Sequence, residues 1–273
     1  MTRKLKRSIL YWALLSPIVV VTLFPFAVMF ITAIKPAGEM LSPRWWPHEP
    51  AFGNFIAMIG ETNFGQALLN SLIVAVSTTV ITILIAIPGG YALSRYRFGA
   101  RSAFRQFLLI SQMLSPIVLV IGLFRLIVWL GLVDRLGGLI LVYSGFNVAF
   151  AVWMLQSYFS TIPKDLEEAA WIEGASSFRT LVGVFLPLAV PAMVVTAIFT
   201  FIASWNEFIV ALTILRSPDG YTLPLQIFSL VSRYTVEWNY VMAAAFAATI
   251  PVAIVFAWLQ RYLMRGLALG AVK

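Results

Sequence analysis

The sequence contains no cysteine and a single histidine, His48, so several kinds of chemistry lack their usual side chains. Without cysteine the chain forms neither disulfides nor thiolate-based metal or catalytic sites. His48 lies in a proline- and tryptophan-rich stretch without metal-ligating neighbours, which favours a loop residue and predicts no metal site. The sequence has no G-x-x-x-x-G-K-[ST] phosphate loop and no recognisable pair of nucleophile and base. We therefore expect a chain that is not an enzyme by itself and carries no cofactor.

Charged side chains are also scarce. They make up 11% of the 273 residues, whereas 61% are hydrophobic, and the mean hydropathy is +0.92. This apolar content exceeds what one soluble core can bury and predicts an integral membrane protein surrounded by lipid. The net charge of +8 does not indicate nucleic-acid binding, because the basic residues interrupt the apolar runs and do not form one patch.

The apolar runs are long enough for six membrane-spanning helices, which predicts an all-α membrane fold. The predicted spans are residues 9–34, 67–93, 107–130, 138–159, 188–215 and 240–263. The first run follows a basic amino terminus, but it is longer than the apolar core of a signal peptide and contains two prolines, so we expect it to be retained. Residues 35–66 and 216–239 are then external, and the apolar part of the latter lies along the interface or re-enters the membrane.

The lysines and arginines predict the orientation of these spans. Thirteen of the 19 fall on the face that holds both termini and residues 94–105 and 161–187. The positive-inside rule places this face in the cytoplasm.

Residues 161–187 form a polar segment between the fourth and fifth apolar runs, and their pattern predicts a helix, a tight turn and a second helix. Pro163 marks the first start, acidic residues follow in the first turn, and Gly174 provides a left-handed stop. Ser176 and Ser177 can cap the second helix. One side of the first helix suits docking to a neighbour, although an ordinary solvated helix would show the same spacing; this side carries Leu166, Ala169, Ala170 and Glu173.

This segment resembles the EAA signature, E-A-A-x-x-x-G-x(9)-apolar-x-L-P, of the membrane permeases of binding-protein-dependent ABC importers. The matching residues are Glu168, Ala169, Ala170, Gly174, Val184, Leu186 and Pro187. The resemblance implies that the segment is a cytoplasmic coupling helix, which rests in a groove of an ATPase subunit and passes its closure to the membrane helices. It also implies a type I permease fold in one domain, residues 1–273, with a core at about 67–263 and a cytoplasmic tail at 264–273.

Three further stretches resemble the carbohydrate branch of this family, the maltose-type second permease: SWNEF at 204–208, residues 242–251, and residues 260–273. In the last stretch, Gly266, Gly270 and Lys273 would reach between two ATPase subunits, and a frayed terminus is the alternative. The resemblance implies a sister permease, two copies of an ATPase that binds Mg-ATP, and an extracytoplasmic solute-binding protein, assembled at a bacterial inner membrane. It implies a sugar, oligosaccharide or polyol as cargo; a non-sugar solute is the alternative within the family.

Five polar residues inside or beside the apolar runs are candidates for a substrate pathway: Asn70, Gln112, Asn147, Asn206 and Glu207. Amides within spans more often join helices by hydrogen bonds. Glu207 is the acidic residue expected deepest in the membrane, where an ionisable group is costly. Contact with sugar hydroxyls, pairing within the bundle and proton transfer in an ion-coupled secondary transporter stay open for Glu207. A membrane-bound enzyme is a further alternative.

Overall fold

The computed structural model describes residues 3–231 and 237–270, with side chains from residue 11 onward except residue 259 and those after 260. This part of the chain is α-helical, as predicted. The α-helices are α1 (Arg3–Ala33), α2 (Gly53–Glu61), α3 (Phe64–Arg95), α4 (Arg101–Met113), α5 (Pro116–Trp129), α6 (Leu136–Phe159), α7 (Lys164–Ile172), α8 (Ser177–Thr180), α9 (Leu186–Trp205), α10 (Ile209–Ile214), α11 (Leu223–Ser229) and α12 (Trp238–Gly270). A π-helical turn, Leu181–Phe185, joins α8 to α9.

Five helical segments of the described chain are long and apolar enough to cross a membrane. They are Tyr11–Ala33, Phe64–Arg95, Leu136–Phe159, Ser177–Trp205 and Trp238–Trp258. The first, second, fourth and sixth predicted spans are confirmed, with ends shifted by a few residues.

The third predicted span, residues 107–130, is wrong as a continuous helix. Helices α4 and α5 bend by 101° at the break between them, and they make a sixth crossing if the pair is one span. Ser115 has an extended backbone and Pro116 is the first residue of α5. Proline lacks an amide hydrogen and disfavours helical geometry in the residue before it, so α4 ends before this pair. A serine followed by proline is typical of a helix start, but the apolar run continues through this pair, so run length alone predicts one continuous helix.

The fifth predicted span, residues 188–215, is also interrupted. The helical segment begins earlier, at Ser177, and ends at Trp205. A new helix, α10, starts at Ile209, because the carboxylate of Glu207 accepts a hydrogen bond from the Val210 N–H at 2.9 Å. A side-chain acceptor at this position satisfies one of the free N–H groups of a helix start.

The chain groups into two compact units, and the prediction of a single domain stays a prediction. The first unit contains residues 1–65 and 226–251. Its aromatic cluster consists of Phe30, Phe55 and Phe246, with ring centroids 5.3 to 6.4 Å apart. Such pairs stabilise the packing of α1, α2 and α12 within this unit.

Helix α6 lies at the centre of the second unit, which contains residues 66–225 and 252–273. Leu139 and Tyr143 of α6 belong to one buried apolar cluster, and Leu155 and Phe159 belong to another that includes Phe185. Helix α3 approaches α6 closely at Gly90, where an added Cβ would lie 3.0 Å from the backbone nitrogen of Gln156. The two clusters support the two candidate sites, one at the carboxyl end of α6 and one beside its middle.

Candidate functional site

The segment with the EAA pattern folds as a helix, a tight turn and a second helix, as predicted. Gly174 has a φ of +80°, and its N–H donates to the carbonyl of Trp171 at 2.9 Å. The N–H of Ala175 donates to the carbonyl of Ala170 at 2.9 Å. These two bonds form a Schellman motif, which favours glycine at the left-handed position. The Oγ of Ser176 accepts from the Arg179 N–H, as expected for a helix cap.

Helix α7 is held to the end of α3 by a buried ion pair. The Nε of Arg95 lies 3.5 Å from Oε2 of Glu167, and the two side chains are 5% and 6% exposed. The hydroxyl of Tyr91, also on α3, donates to Oε1 of Glu167 at 2.9 Å. Both oxygens of this carboxylate therefore face α3.

The guanidinium of Arg95 also contacts the end of α6 and the π-helical turn. Its Nη2 donates to the carbonyls of Phe159 at 3.0 Å and Ile162 at 2.6 Å. Its Cζ lies 4.6 Å from the centroid of the Phe185 ring. The negative end of the helix dipole and the face of the aromatic ring both attract a cation, so both stabilise the guanidinium in this position. One guanidinium thus joins α3, α6, α7 and the turn that leads into α9.

This arrangement involves two residues whose contacts sequence reasoning missed. Arg95 is predicted only to contribute to the basic cytoplasmic face at residues 94–105, but its side chain is buried. Glu167 is expected only to stabilise the start of α7 through its charge. No local spacing indicates that its partner lies on α3, because the pair depends on the tertiary fold.

The opposite side of α7 is exposed. Glu168 and Ala169 of the EAA pattern are exposed and Ala170 is half-buried. Large apolar side chains also reach the surface here: Leu166 (43% exposed), Trp171 (47%), Ile172 (87%) and Phe178 (74%). Apolar side chains on a polar loop indicate a surface that binds another protein. The predicted docking side is therefore accessible, and Ile172 and Phe178 extend it.

The last two residues of the EAA pattern have different surroundings. Leu186 is half-buried against the cluster that contains Phe185, whereas Pro187 is exposed. The Leu186 N–H donates to the carbonyl of Leu181, five residues back. Pro187 has no N–H to continue the α-helical pattern, which fits a π-helical turn immediately before it.

A cavity of about 240 Å³ lies beside the middle of α6 and brings together three of the five polar candidates. These are Gln112, Asn147 and Glu207; Tyr143, Phe146 and Ser204 complete its principal lining. The Oγ of Ser204 is buried and has no hydrogen-bond partner among the described residues. The cavity combines amide, hydroxyl and carboxylate groups with aromatic rings, a composition typical of small-molecule sites.

Hydrogen bonds fix the polar groups of this cavity. The Tyr143 hydroxyl donates to Oε2 of Glu207 at 2.5 Å, and the Asn147 amide donates to the Tyr143 carbonyl at 2.8 Å. The contact of the Gln112 amide with the Phe146 carbonyl is long, 3.4 Å. Glu207 also accepts from Val210, so it both lines the cavity and holds the start of α10.

The remaining candidates lie elsewhere. The Asn70 amide donates to the carbonyls of Asp219 at 2.8 Å and Tyr221 at 3.0 Å, which holds the segment before α11. Asn206 is exposed at the end of α9. Gly266 and Gly270 lie in the last turns of α12, where side-chain surroundings are not described, and Lys273 lies outside the described residues.

Several apolar spans, a helix-turn-helix loop held to them by a buried ion pair, and a polar cavity between helices are features of a membrane permease. Residues 83–269 match the family described as binding-protein-dependent transport system inner membrane component. The chain belongs to this family and is a multi-pass membrane protein.

Curated relatives cover nearly the whole chain. It is 35% identical to the trehalose/maltose transport system permease protein MalG of Thermococcus litoralis, over 93% of this chain and 92% of that protein. It is 34% identical to the diacetylchitobiose uptake system permease protein DasC of Streptomyces coelicolor, over 92% and 91%. It is also 35% identical to the inner membrane ABC transporter permease protein YcjP of Escherichia coli, over 95% and 94%.

Solved structures share the fold. A chain of a bacterial ABC transporter involved in the import of the acidic polysaccharide alginate matches with a TM-score of 0.79 and 25% identity, over 96% of this chain and 98% of that chain. A chain of the MetNI methionine ABC transporter in an inward-facing conformation matches with a TM-score of 0.62 and 18% identity, over 74% and 95%.

Proposed function

We propose that this chain is the permease subunit of an ATP-driven importer and forms half of the pathway for a sugar, an oligosaccharide or a polyol. The observation that carries the proposal is the two-sided loop, in which Glu167 is buried against α3 while Glu168 and the apolar residues beside it are exposed. Such a loop can bind another subunit through its exposed side and remain rigidly joined to the membrane spans through its buried side. The relatives named for trehalose/maltose and diacetylchitobiose, and the alginate transporter, support a carbohydrate cargo.

The proposed complex contains a sister permease, two copies of a cytoplasmic ATPase and an extracytoplasmic solute-binding protein. Mg-ATP binds to the ATPase, since this chain has no phosphate loop. Both termini and helix α7 face the cytoplasm of a bacterial inner membrane, an orientation supported by the distribution of basic residues. The tail with Gly266, Gly270 and Lys273 contacts the ATPase subunits.

Coupling begins when closure of the ATPase subunits displaces α7. Separating α7 from α3 would leave Arg95 buried without its carboxylate, at a cost of about 3–5 kcal/mol. Helix α7 therefore moves together with the ends of α3 and α6, and with α9 through Phe185. Rigid-body movement of such a group switches the access of the pathway between the two sides of the membrane.

The cavity beside the middle of α6 lines this pathway. The amides of Gln112 and Asn147 and the hydroxyl of Ser204 can hydrogen-bond to sugar hydroxyls, and Phe146 offers an apolar ring surface. The carboxylate of Glu207 accepts hydrogen bonds from the Tyr143 hydroxyl and from the first turn of α10, and so fixes both beside these polar groups.

An ion-coupled secondary transporter is less consistent with the contacts of Glu207. Its carboxylate accepts hydrogen bonds from the Tyr143 hydroxyl and from the backbone N–H groups of Val210 and Ala211. These donors stabilise a fixed carboxylate at a helix start, which is a positioning role.

Copurification tests the proposed complex. The chain is tagged at its amino terminus and extracted gently from its native membrane, and the accompanying proteins are identified by mass spectrometry. We expect a second permease and an ATPase with a phosphate loop, and ligand screening of the associated solute-binding protein then identifies the cargo. Recovery of the chain alone in a form that still transports would contradict the proposal.

A further inference from the structure

Lys35, two residues after the end of α1, carries a positive charge into the interior of the first unit. It is 9% exposed, and its Nζ donates to the main-chain carbonyl of Arg44 at 2.6 Å. Its backbone is fixed as well, because the Asn54 amide donates to the carbonyls of Ala33 at 2.8 Å and Lys35 at 3.0 Å. The ammonium group is therefore held in one place at the end of an apolar helix.

This charge has no acidic partner in the described parts of the chain. The ion pair found there, within 4.0 Å, joins Arg95 and Glu167. The acidic residue nearest to Lys35 in sequence, Glu39, accepts a hydrogen bond from the His48 N–H at 3.1 Å. An ammonium has three N–H donors, and one of them meets the Arg44 carbonyl. Because a buried charge is costly unless it is paired, the position favours a bound anion.

A cavity of about 230 Å³ is lined in part by Lys35 and offers further groups that suit an anion. Ser42 and Arg44 line it together with Lys35. The Ser42 Oγ is shielded from solvent and lacks a hydrogen-bond partner among the residues described. Arg44 is exposed, and the bond to Lys35 uses only its main-chain oxygen. Two cationic side chains and a hydroxyl match the oxygens of a phosphate group.

The rest of the lining indicates where such a phosphate comes from. Val28 and Ile31 of α1 and the indole-bearing Trp45 line the same cavity. The α1 surface nearby is apolar and exposed, including Phe24 at 54%, whose ring centroid is 6.0 Å from that of Trp45. Tryptophan is enriched at the headgroup level of both membrane surfaces, and a cationic pocket at that level lies beside lipid phosphates.

We propose that Lys35, Ser42 and Arg44 bind the phosphate group of a phospholipid whose acyl chains lie along the apolar surface of α1. This site is independent of the proposed transport function, since it uses neither the coupling loop nor the cavity beside Glu207. The phosphate of the bound lipid supplies the negatively charged partner that the described part of the chain does not provide for Lys35.

The test measures lipid binding to the protein purified in mild detergent with the subunits that accompany it. Native mass spectrometry counts bound dioleoyl phosphatidylglycerol, and the unfolding temperature is recorded with and without this lipid. The principal variant combines Ser42→Ala and Arg44→Gln, which removes two ligands but keeps the main-chain oxygen that Lys35 contacts. The matched control is Arg135→Gln, which removes an exposed charge outside this cavity.

We expect the double variant to bind the lipid roughly tenfold more weakly, with an unchanged unfolding temperature in lipid-free detergent, while the control binds it like the wild type. The proposal would be overturned if the double variant bound the lipid as the wild type does. A lower unfolding temperature of the single variant Lys35→Gln would then show that Lys35 only holds the loop through its hydrogen bond to Arg44. Two further compounds test the parts of the lipid separately: dioleoylglycerol has the acyl chains without a phosphate, and inorganic phosphate has no acyl chains. If dioleoylglycerol raised the unfolding temperature as much as dioleoyl phosphatidylglycerol does, phosphate recognition would be refuted. If inorganic phosphate did so, a lipid ligand would be refuted.

Discussion

Arg95 and Glu167 are buried together where helix α3 meets helix α7, with Nε of the arginine 3.5 Å from Oε2 of the glutamate. Glu168, the next residue, is exposed. Two adjacent carboxylates of similar appearance in the sequence therefore have opposite surroundings. Glu167 joins α7 to the spans, whereas Glu168 is free to contact another subunit.

Replacing each glutamate by glutamine should separate these two roles. Glu167→Gln leaves Arg95 buried without its carboxylate, and we expect a loss of about 3–5 kcal/mol in the free energy of unfolding. Glu168→Gln should change stability by less than about 0.5 kcal/mol, because the side chain is exposed. It should instead weaken copurification of the ATPase. Equal unfolding temperatures of the two variants in detergent would contradict the assignment.

Gly174→Ala should weaken coupling through the backbone alone. The residue has a φ of +80° and open space around its Cα, so an added methyl group meets no atom but strains the left-handed conformation by about 1–2 kcal/mol. Gly174→Asp should have a larger effect, since it adds a negative charge at a helix carboxyl end. We expect inserted protein with reduced substrate-stimulated ATPase activity after reconstitution. Gly183→Ala, in the same loop and also with open space, is the control that should retain the activity.

The features predicted correctly from sequence depend on neighbouring residues. Four spans follow from the length of apolar runs, and the stop at Gly174 and the cap at Ser176 follow from backbone geometry that a few residues determine. The Ser115-Pro116 break is local too, but continuous hydropathy across it obscures the helix start.

The features that escaped prediction depend on contacts between distant elements. Burial of Arg95 requires α6 and α7 to surround the end of α3, and no spacing in the sequence encodes that encounter. Likewise, Asn70 and Gln112 are both amides in apolar runs. Only the tertiary structure shows that one holds a backbone segment while the other lines a cavity.

Gly90→Ala should destabilise the contact between α3 and α6. The new Cβ would lie 3.0 Å from the Gln156 nitrogen and 3.1 Å from the Leu155 Cβ, and neither helix backbone can move without disturbing the cluster around it. We expect a loss of about 1–3 kcal/mol, measured as a lower unfolding temperature. Gly145→Ala, on α6 with no atom nearby, should be neutral or stabilising. Loss of stability in the control but not in Gly90→Ala would contradict the close approach.

The loop between α5 and α6 should contribute stability that depends on pH. The Ser217 hydroxyl donates to the Asp134 carboxylate, and with the N–H groups of Ser217 and Arg216 it lowers the pKa of this carboxyl below its ordinary value of 3.8. The stabilisation is therefore complete above the unfolded pKa and is lost as the pH falls through the lower folded value. Asp134→Asn should remove this dependence while tolerating the residue's φ of +57°. The difference between the unfolding temperatures of the two proteins should be constant near neutral pH and should shrink as the pH falls below about 4, towards pH 3. A difference that stays constant over the whole range would contradict the assignment.

Asn70→Ala and Gln112→Ala should have different effects, although both residues are amides in apolar runs and both are candidates for the pathway. The Asn70 amide bonds the carbonyls of Asp219 and Tyr221, so its loss leaves two backbone acceptors without their donor and should lower the unfolding temperature. Gln112 makes one long hydrogen bond and lines the cavity, so its loss should preserve stability. In a reconstituted complex with saturating solute-binding protein, Gln112→Ala should reduce uptake by up to roughly tenfold, the value of one hydrogen bond to the cargo in the pathway. Asn70→Ala should transport normally per folded complex. Normal uptake by Gln112→Ala would show that the cavity beside Glu207 does not line the route of the cargo. A fully stable Asn70→Ala protein without transport would contradict the structural role of Asn70.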